Sequence, residues 1–157
     1  MTTPVRFPKL MDWLRRFQWE VFVGATLILF TAGIERLMGR SVFGTDGRFG
    51  WWEGNIWSNE NSQRLLDPYT FSHVIHGLLL FAVLKVFAGG MPLAWRFVLA
   101  IFLESAWEVL ENSPLIINRY RDATIALGYT GDSILNSIAD IVAMSAGFLL
   151  AARAPTW

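Results

Sequence analysis

Residues 132–152, DSILNSIADIVAMSAGFLLAA, decide the fold class of this chain. The run is close to the ~20 mostly apolar residues that a helix needs to cross a bilayer core of about 30 Å. At its start Asp132, Asn136 and Asp140 recur at every fourth position, so they lie on one stripe of a helix. The stretch therefore predicts a membrane-spanning helix that carries polar groups at one end.

Three similar apolar runs precede this one, at about residues 19–38, 70–88 and 92–111. Two glycines and Pro92 separate the second run from the third, and the sequence Asn112-Ser113-Pro114 ends the third run. The polar stretches 39–69 and 115–131 are predicted to be loops. We therefore predict an all-α polytopic membrane protein, a single transmembrane domain of about four helices with two outer loops.

The composition favours the same class. Apolar residues make up 54% of the 157 residues and charged residues 17%, more apolar side chain than a soluble domain of this size can bury. Aromatic residues reach 15%, including 8 tryptophans, which suits the interfaces of a bilayer. The net charge is zero, so no nucleic-acid partner is expected, and the absence of cysteine excludes disulfides and thiolate metal sites. Membrane lipids are the expected partners.

The distribution of Lys and Arg predicts an orientation. With four spans, both termini and the short turn before Pro92 share one side, and that side holds the tightest basic cluster, around Arg15 and Arg16. We therefore expect a multi-pass protein of the bacterial inner membrane with both termini in the cytoplasm. The length of the first apolar run argues against a cleaved signal peptide. Glu35 and Arg36, at the end of this run, are interpreted as a local ion pair.

Polar residues collect where three of the predicted helices meet the outer face. His73 and His76 start the second helix, an acidic stripe ends the third, and the Asp132 stripe starts the fourth. Because successive helices alternate in direction, all three motifs come to one side. A rise of about 1.5 Å per residue then predicts three layers. From the surface inwards, the layers are Asp67, Glu111 and Asp132; His73, Glu108 and Asn136; and His76, Glu104 and Asp140.

Such groups need compensation, because an ionised side chain at mid-bilayer costs about 2.5–3.5 kcal/mol. Protonation, an arginine partner, hydrogen bonds or a metal ion would each supply it. Neutral histidine with carboxylates suits zinc, iron or manganese. One hypothesis is therefore a site for one or two divalent ions, with these ligands: His73, His76, Glu104, Glu108 and Asp140. The alternatives are an interhelical hydrogen-bond network that fixes packing, and a metal-free ligand or proton site.

The leading functional hypothesis is a metal-dependent membrane enzyme that acts on an envelope lipid or lipid-linked substrate at the outer face. The candidate catalytic residues are Glu108, Asp132 and Asn136, and the candidate substrate-binding residues are Glu111, Arg119 and Arg121. The two arginines would dock an anionic head group. A non-enzymatic subunit or assembly factor of a larger membrane complex is the second hypothesis. A small transporter is the third, disfavoured by the apolar inner halves of helices two and three.

Three stretches of the chain resemble a known family. They are SQRLLDPYTFSHVIHG (62–77), ESAWEVLENSPLIINRYR (104–121) and GYTGDSILNSIADIVAM (128–144), and they lie within residues 62–144, about half the chain. They are similar to bacterial membrane proteins grouped as domain of unknown function 2585, a family without an assigned activity. More loosely, His on one helix, Glu-x-x-x-Glu on the next and Asp/Asn on the last resemble the VanZ-like family, associated with glycopeptide resistance. The first resemblance implies a membrane location and supplies no reaction.

Overall fold

The computed structural model describes residues 15–122 and 128–154. Within them the chain is helical, and the only β-structure is an isolated bridge between Trp52 and Leu66. The helices are α1 (Gln18–Leu37), α2 (Thr70–Phe87), α3 (Leu93–Glu111), α4 (Pro114–Asp122) and α5 (Ile134–Arg153). The prediction of an all-α fold is confirmed, and the four long helices coincide with the four apolar runs to within two residues.

Two of the described helices, α2 and α5, are long and apolar enough to cross a membrane. Helices α1 and α3 have a similar length but carry more charged residues, three in α1 and four in α3. The structure therefore weakly indicates a membrane association through two helices. Four transmembrane helices are not shown by it.

The second predicted loop is only partly a loop, because its first half forms helix α4 (Pro114–Asp122). The prediction treated Pro114 as the end of a helix, whereas this proline begins a new one. Proline suits the first turn of a helix, where its missing N–H would have no partner. The new helix is amphipathic and buries Ile117 against the bundle.

Helices α2 and α5 form the closest pair in the bundle, and glycine makes that approach possible. A Cβ on Gly77 would collide with the carbonyl oxygen of Met144, and a Cβ on Gly147 would collide with the carbonyl oxygen of Val74. Small residues let two helix backbones come into direct contact in this way. The contact brings His73, one turn before Gly77, to the side of α5 that carries the polar stripe.

The interior divides into an apolar half and a polar half. The apolar core contains Leu84, Ala100, Ile101, Ile141, Met144 and Phe148. The polar half lies where α2 and α5 begin and α3 ends, and its buried side chains include His73, Glu104, Glu108, Asn136 and Asp140. The alternating helix directions predicted from the sequence account for this segregation.

The loop between α1 and α2 folds over the polar end. The backbone N–H groups of Ser133 and Ile134 donate to the carbonyl oxygens of Ser62 and Ser41, at 2.9 Å in both cases. These bonds satisfy N–H groups at the start of α5 that have no partner inside the helix. The Gln63 side chain also donates to the Gly131 carbonyl at 2.7 Å. The loop is therefore a fixed cover of the polar half.

Candidate functional site

Two histidines of α2 converge on one glutamate of α3. Oε1 of Glu104 lies 2.6 Å from Nδ1 of His73 and 3.1 Å from Nδ1 of His76. One ligand atom from each of the three residues falls within 4.8 Å of the others. We call these residues the histidine cluster. Three donor atoms within 4.8 Å of one another could hold one metal ion, while the 2.6 Å contact of His73 with Glu104 is at hydrogen-bond distance.

Two further carboxylates flank His73. Oε1 of Glu108 lies 3.5 Å from its Nδ1, and Oδ2 of Asp140 lies 3.7 Å from its Nε2. Glu108 Oε1 and Asp140 Oδ1 are buried without a hydrogen-bond partner among the described residues. An unpartnered buried polar atom is costly, so these oxygens have capacity for a proton or a cation.

The depth order differs from the predicted layers. His73 makes its shortest contact with Glu104, which had been predicted to lie one layer deeper. The layers assumed parallel helices entering at the same depth. In the structure α3 is instead shifted along α2, so that Glu104 lies nearer to His73 than Glu108 does.

The histidine cluster opens into a cavity of about 290 Å³, the histidine pocket. The His76 side chain is 38% exposed, whereas the Glu104 side chain behind it is 3% exposed, so the cluster has an open side. Among the described residues, no lysine or arginine lines this pocket. The charged and aromatic lining residues are Tyr69, His73, His76, Trp107, Glu111, Tyr120, Tyr129, Asp132 and Asp140.

Asp132 lies in the pocket wall and is held by two residues, Asn112 at the end of α3 and Tyr129 in the loop before α5. Its Oδ2 accepts from Nδ2 of Asn112 at 3.0 Å, its Oδ1 accepts from the Tyr129 hydroxyl at 2.8 Å, and its N–H donates to Asn112 Oδ1 at 2.7 Å. Burial raises the pKa of Asp132 to about 6, although the hydrogen bonds from Tyr129 and Asn112 act in the opposite direction. Burial, together with the neighbouring Asp132, also raises the pKa of Tyr129. The hydrogen bonding in this part of the wall therefore depends on whether Asp132 carries a proton.

The other candidate residues divide between the pocket and its surroundings. Asn136 and Glu111 line the pocket. Nδ2 of Asn136 donates to the Arg64 carbonyl at 3.0 Å, and the Tyr120 hydroxyl donates to Glu111 at 3.5 Å. Glu108 lies behind His73 and is not part of the described lining.

The structure does not bring the two loop arginines to the site. Arg119 and Arg121 are exposed on α4 and are not among the lining residues of the pocket. Nε of Arg121 donates to the Tyr129 carbonyl at 2.6 Å, so this guanidinium braces the backbone beside the pocket.

The predicted ion pair of Glu35 with Arg36 is wrong. Glu35 is fully buried, whereas Arg36 is exposed and donates to the Arg40 carbonyl at 3.4 Å. Adjacent helical residues point in different directions, which separates the two side chains. Neither carboxylate oxygen of Glu35 has a hydrogen-bond partner in the part of the chain that the structure describes.

Sequence reasoning missed Asn112 and the aromatic walls. Asn112 is fully buried, and its position continues the spacing of Glu104 and Glu108, so the helical stripe was a usable signal. Tyr129 comes three residues before Asp132, a weaker signal. The aromatic wall combines residues from α3, α4 and two loops, which no local pattern links.

Fold and site define an all-helical protein with a buried histidine–carboxylate cluster that opens into an acidic, aromatic pocket. The chain belongs to the family described as protein of unknown function DUF2585, whose model matches residues 36–157. The family resemblance predicted from the three motifs is thus confirmed.

Relatives of the chain carry the name UPF0314 protein. The protein of Paracoccus denitrificans strain Pd 1222 is 47% identical over 140 residues, which is 88% of this chain and 70% of the relative. The protein of Rhizobium johnstonii is 50% identical over 137 residues, covering 87% of this chain and 70% of the relative. No solved structure matches the chain. The relatives therefore establish the family and assign no activity.

Proposed function

We propose that the chain is an integral membrane protein that binds a divalent metal ion in the histidine cluster and acts on an envelope lipid or lipid-linked substrate. The observation that carries the proposal is the convergence of His73 and His76 on one oxygen of Glu104, with both histidines lining the histidine pocket. The names of the relatives do not bear on this activity.

The donor set suits a catalytic metal. Two neutral imidazoles and one carboxylate leave a coordination position open, as catalytic zinc sites do, and the same donors also suit iron or manganese. The metal-facing nitrogen of His73 would be Nδ1, because Nε2 is directed towards Asp140. A carboxylate on the second ring nitrogen orients a ligand histidine and raises its basicity. Glu108 would supply a further ligand or a second compensating charge.

The membrane location rests on the faces of the helices as well as on their composition. Helix α2 presents large apolar side chains to the outside, among them Phe71 at 66%, Leu79 at 57% and Val86 at 76% exposure. In a bilayer, such an apolar face would lie against the hydrocarbon chains of the lipid. We propose that α1 and α3 span as well, with their carboxylates turned into the bundle, and that the polar end faces the outside of the inner membrane.

The histidine pocket is the proposed site of the reaction. A bound divalent ion lowers the pKa of a coordinated water or polarises a phosphoryl oxygen. Asp132 and Asn136, which also line the pocket, would contact the substrate, and the loop over α5 would limit access of bulk water. Hydrolysis or group transfer at a phosphate-containing head group is the reaction class that this arrangement supports.

Metal content is the decisive measurement. We expect protein purified in detergent without chelator to hold about one zinc, iron or manganese ion per chain by element analysis. His73→Ala and Glu104→Gln should lose the ion or bind zinc at least about tenfold more weakly. Ser72→Ala, which alters the pocket wall beside His73 without touching a ligand, should retain it.

The reaction is tested separately. Metal-loaded protein incubated with a bacterial lipid extract should produce new phosphorus signals by NMR that the His73→Ala protein does not produce. Protein that carries no ion and binds no added zinc, manganese or iron would overturn the metal proposal. Full metal loading without turnover of any lipid would overturn the enzymatic part alone.

A further inference from the structure

We propose that the histidine pocket selects a ligand carrying an organic ammonium group, held by an acidic wall of Glu111, Asp132 and Asp140. The inference rests on the proposed function in taking this pocket as the substrate site, but it does not require the metal. It replaces the sequence-based expectation of an anionic head group docked on Arg119 and Arg121, since neither arginine lines the pocket.

The charge of the lining favours a cation. Three carboxylic residues line the cavity, with no lysine or arginine among the described lining residues. Cations close by have other partners: the Arg64 guanidinium binds Asp46 at 3.0 Å, and Nε of Arg121 donates to a backbone carbonyl. A metal in the histidine cluster would offset Glu104 first and leave the acidic wall in place.

One oxygen of the wall is unused. Asp140 is 3% exposed, lines the pocket, and its Oδ1 has no hydrogen-bond partner among the described residues. A buried carboxylate oxygen in this state gains from a donor, and an ammonium group brings both a donor and the opposite charge.

The rest of the wall is aromatic. The Tyr120 and Tyr129 rings pack edge to face, with centroids 5.7 Å apart, and the Trp107 ring packs against His76 at 6.4 Å. Aromatic faces attract ammonium groups within about 6 Å of the ring centroid. Tyrosines next to carboxylates therefore suit primary and quaternary amines better than phosphate or sugar.

The two ends of the pocket have different chemistry. Glu111, Tyr120, Tyr129 and Asp132 are connected by hydrogen bonds and ring packing at one end. The histidine cluster forms the other end, and Asp140 lies on the Nε2 side of His73, away from the Nδ1 atom that faces Glu104. A zwitterionic phosphoamine would place its ammonium against the acidic wall, Asp140 included, and its phosphate towards an ion held by the cluster, which joins this inference to the proposed reaction.

The test compares choline with 3,3-dimethylbutan-1-ol, which has the same shape and no charge. Titration calorimetry on detergent-purified protein should show choline binding at least about tenfold tighter than the neutral isostere, and binding should weaken as salt is raised. Glu111→Gln should weaken choline binding about tenfold and leave zinc affinity unchanged. Glu20→Gln, a matched change in the first turn of α1, should have no effect on choline.

Competition experiments in nanodiscs distinguish a lipid head group from a free amine as the ligand. If the ammonium belongs to a lipid head group, phosphatidylcholine discs should compete with added choline, whereas phosphatidylglycerol discs should not. Absence of competition assigns the site to a free amine. Equal binding of choline and its isostere, or binding of neither, overturns the inference whatever the metal content. If Glu111→Gln fails to fold, the wild-type isostere and salt comparisons still decide.

Discussion

Gly77 of α2 lies directly against Gly147 of α5, where each glycine meets the backbone of the opposite helix. This crossing lies one turn from His73 and seven residues after Asp140, so it sets how far apart α2 and α5 stand at the site. The packing of two residues without side chains thus positions the histidines.

Enlarging this crossing should damage both fold and site. Gly77→Ala places a methyl group into the Met144 carbonyl and the Phe148 amide, and overpacking of this kind costs typically about 1–3 kcal/mol. We expect a lower thermal midpoint in detergent and weaker zinc binding. Gly33→Ala on α1 is the control, because its added Cβ meets nothing within 4 Å. Equal stability of the two variants would show that the crossing is not tight.

Asn112 should matter for stability more than an ordinary helix-end residue does. Its side chain donates to the Glu108 carbonyl and to Asp132, and accepts from the Asp132 N–H. Asn112→Ala leaves these buried groups unpaired, at an expected cost of about 1–3 kcal/mol. Asn118→Ala, at an exposed position of α4, should be neutral. Thermal unfolding of both variants in the same detergent makes the comparison.

The raised pKa of Asp132 predicts a pH dependence of stability. Burial raises this pKa from 3.8 to about 6, so the folded state binds the proton more tightly than the unfolded state. The stabilising contribution is complete below about pH 4 and is lost as pH rises through about 6. Asp132→Asn removes the titration. The free energy of unfolding of the wild type, minus that of the variant, should therefore increase on acidification from about pH 7 to about pH 4. If the difference in the free energy of unfolding did not change with pH, the raised pKa of Asp132 would be contradicted.

The absence of cysteine makes the proposed topology directly testable. Single cysteines introduced at Thr45, Gly90 and Ala154 lie at exposed positions of the long loop, the α2–α3 turn and the end of α5. A membrane-impermeant maleimide should label Thr45→Cys in intact spheroplasts. It should label Gly90→Cys and Ala154→Cys only after permeabilisation. Labelling of all three without permeabilisation would rule out the four-span arrangement with cytoplasmic termini.

Local patterns predicted the helices well and the irregular segments less well. The apolar runs located α1, α2, α3 and α5 because helix length and hydropathy are properties of a contiguous segment. Helix α4 was missed because Pro114 fits both the residue after one helix and the first turn of the next. Glu35 was assigned to its sequence neighbour, although a helix turns adjacent side chains apart.

The sequence by itself determined that the chain is helical and apolar, and which positions carry histidine, glutamate and aspartate on the faces of those helices. Helical periodicity fixes the face, and alternating direction fixes the end. Only the tertiary structure decided that His73 faces Glu104, that Arg119 and Arg121 stay outside, and that tyrosines wall the pocket. These features depend on how close two helices approach and how a loop folds over them. Both are set by contacts between residues far apart in the chain, such as Gly77 with Gly147.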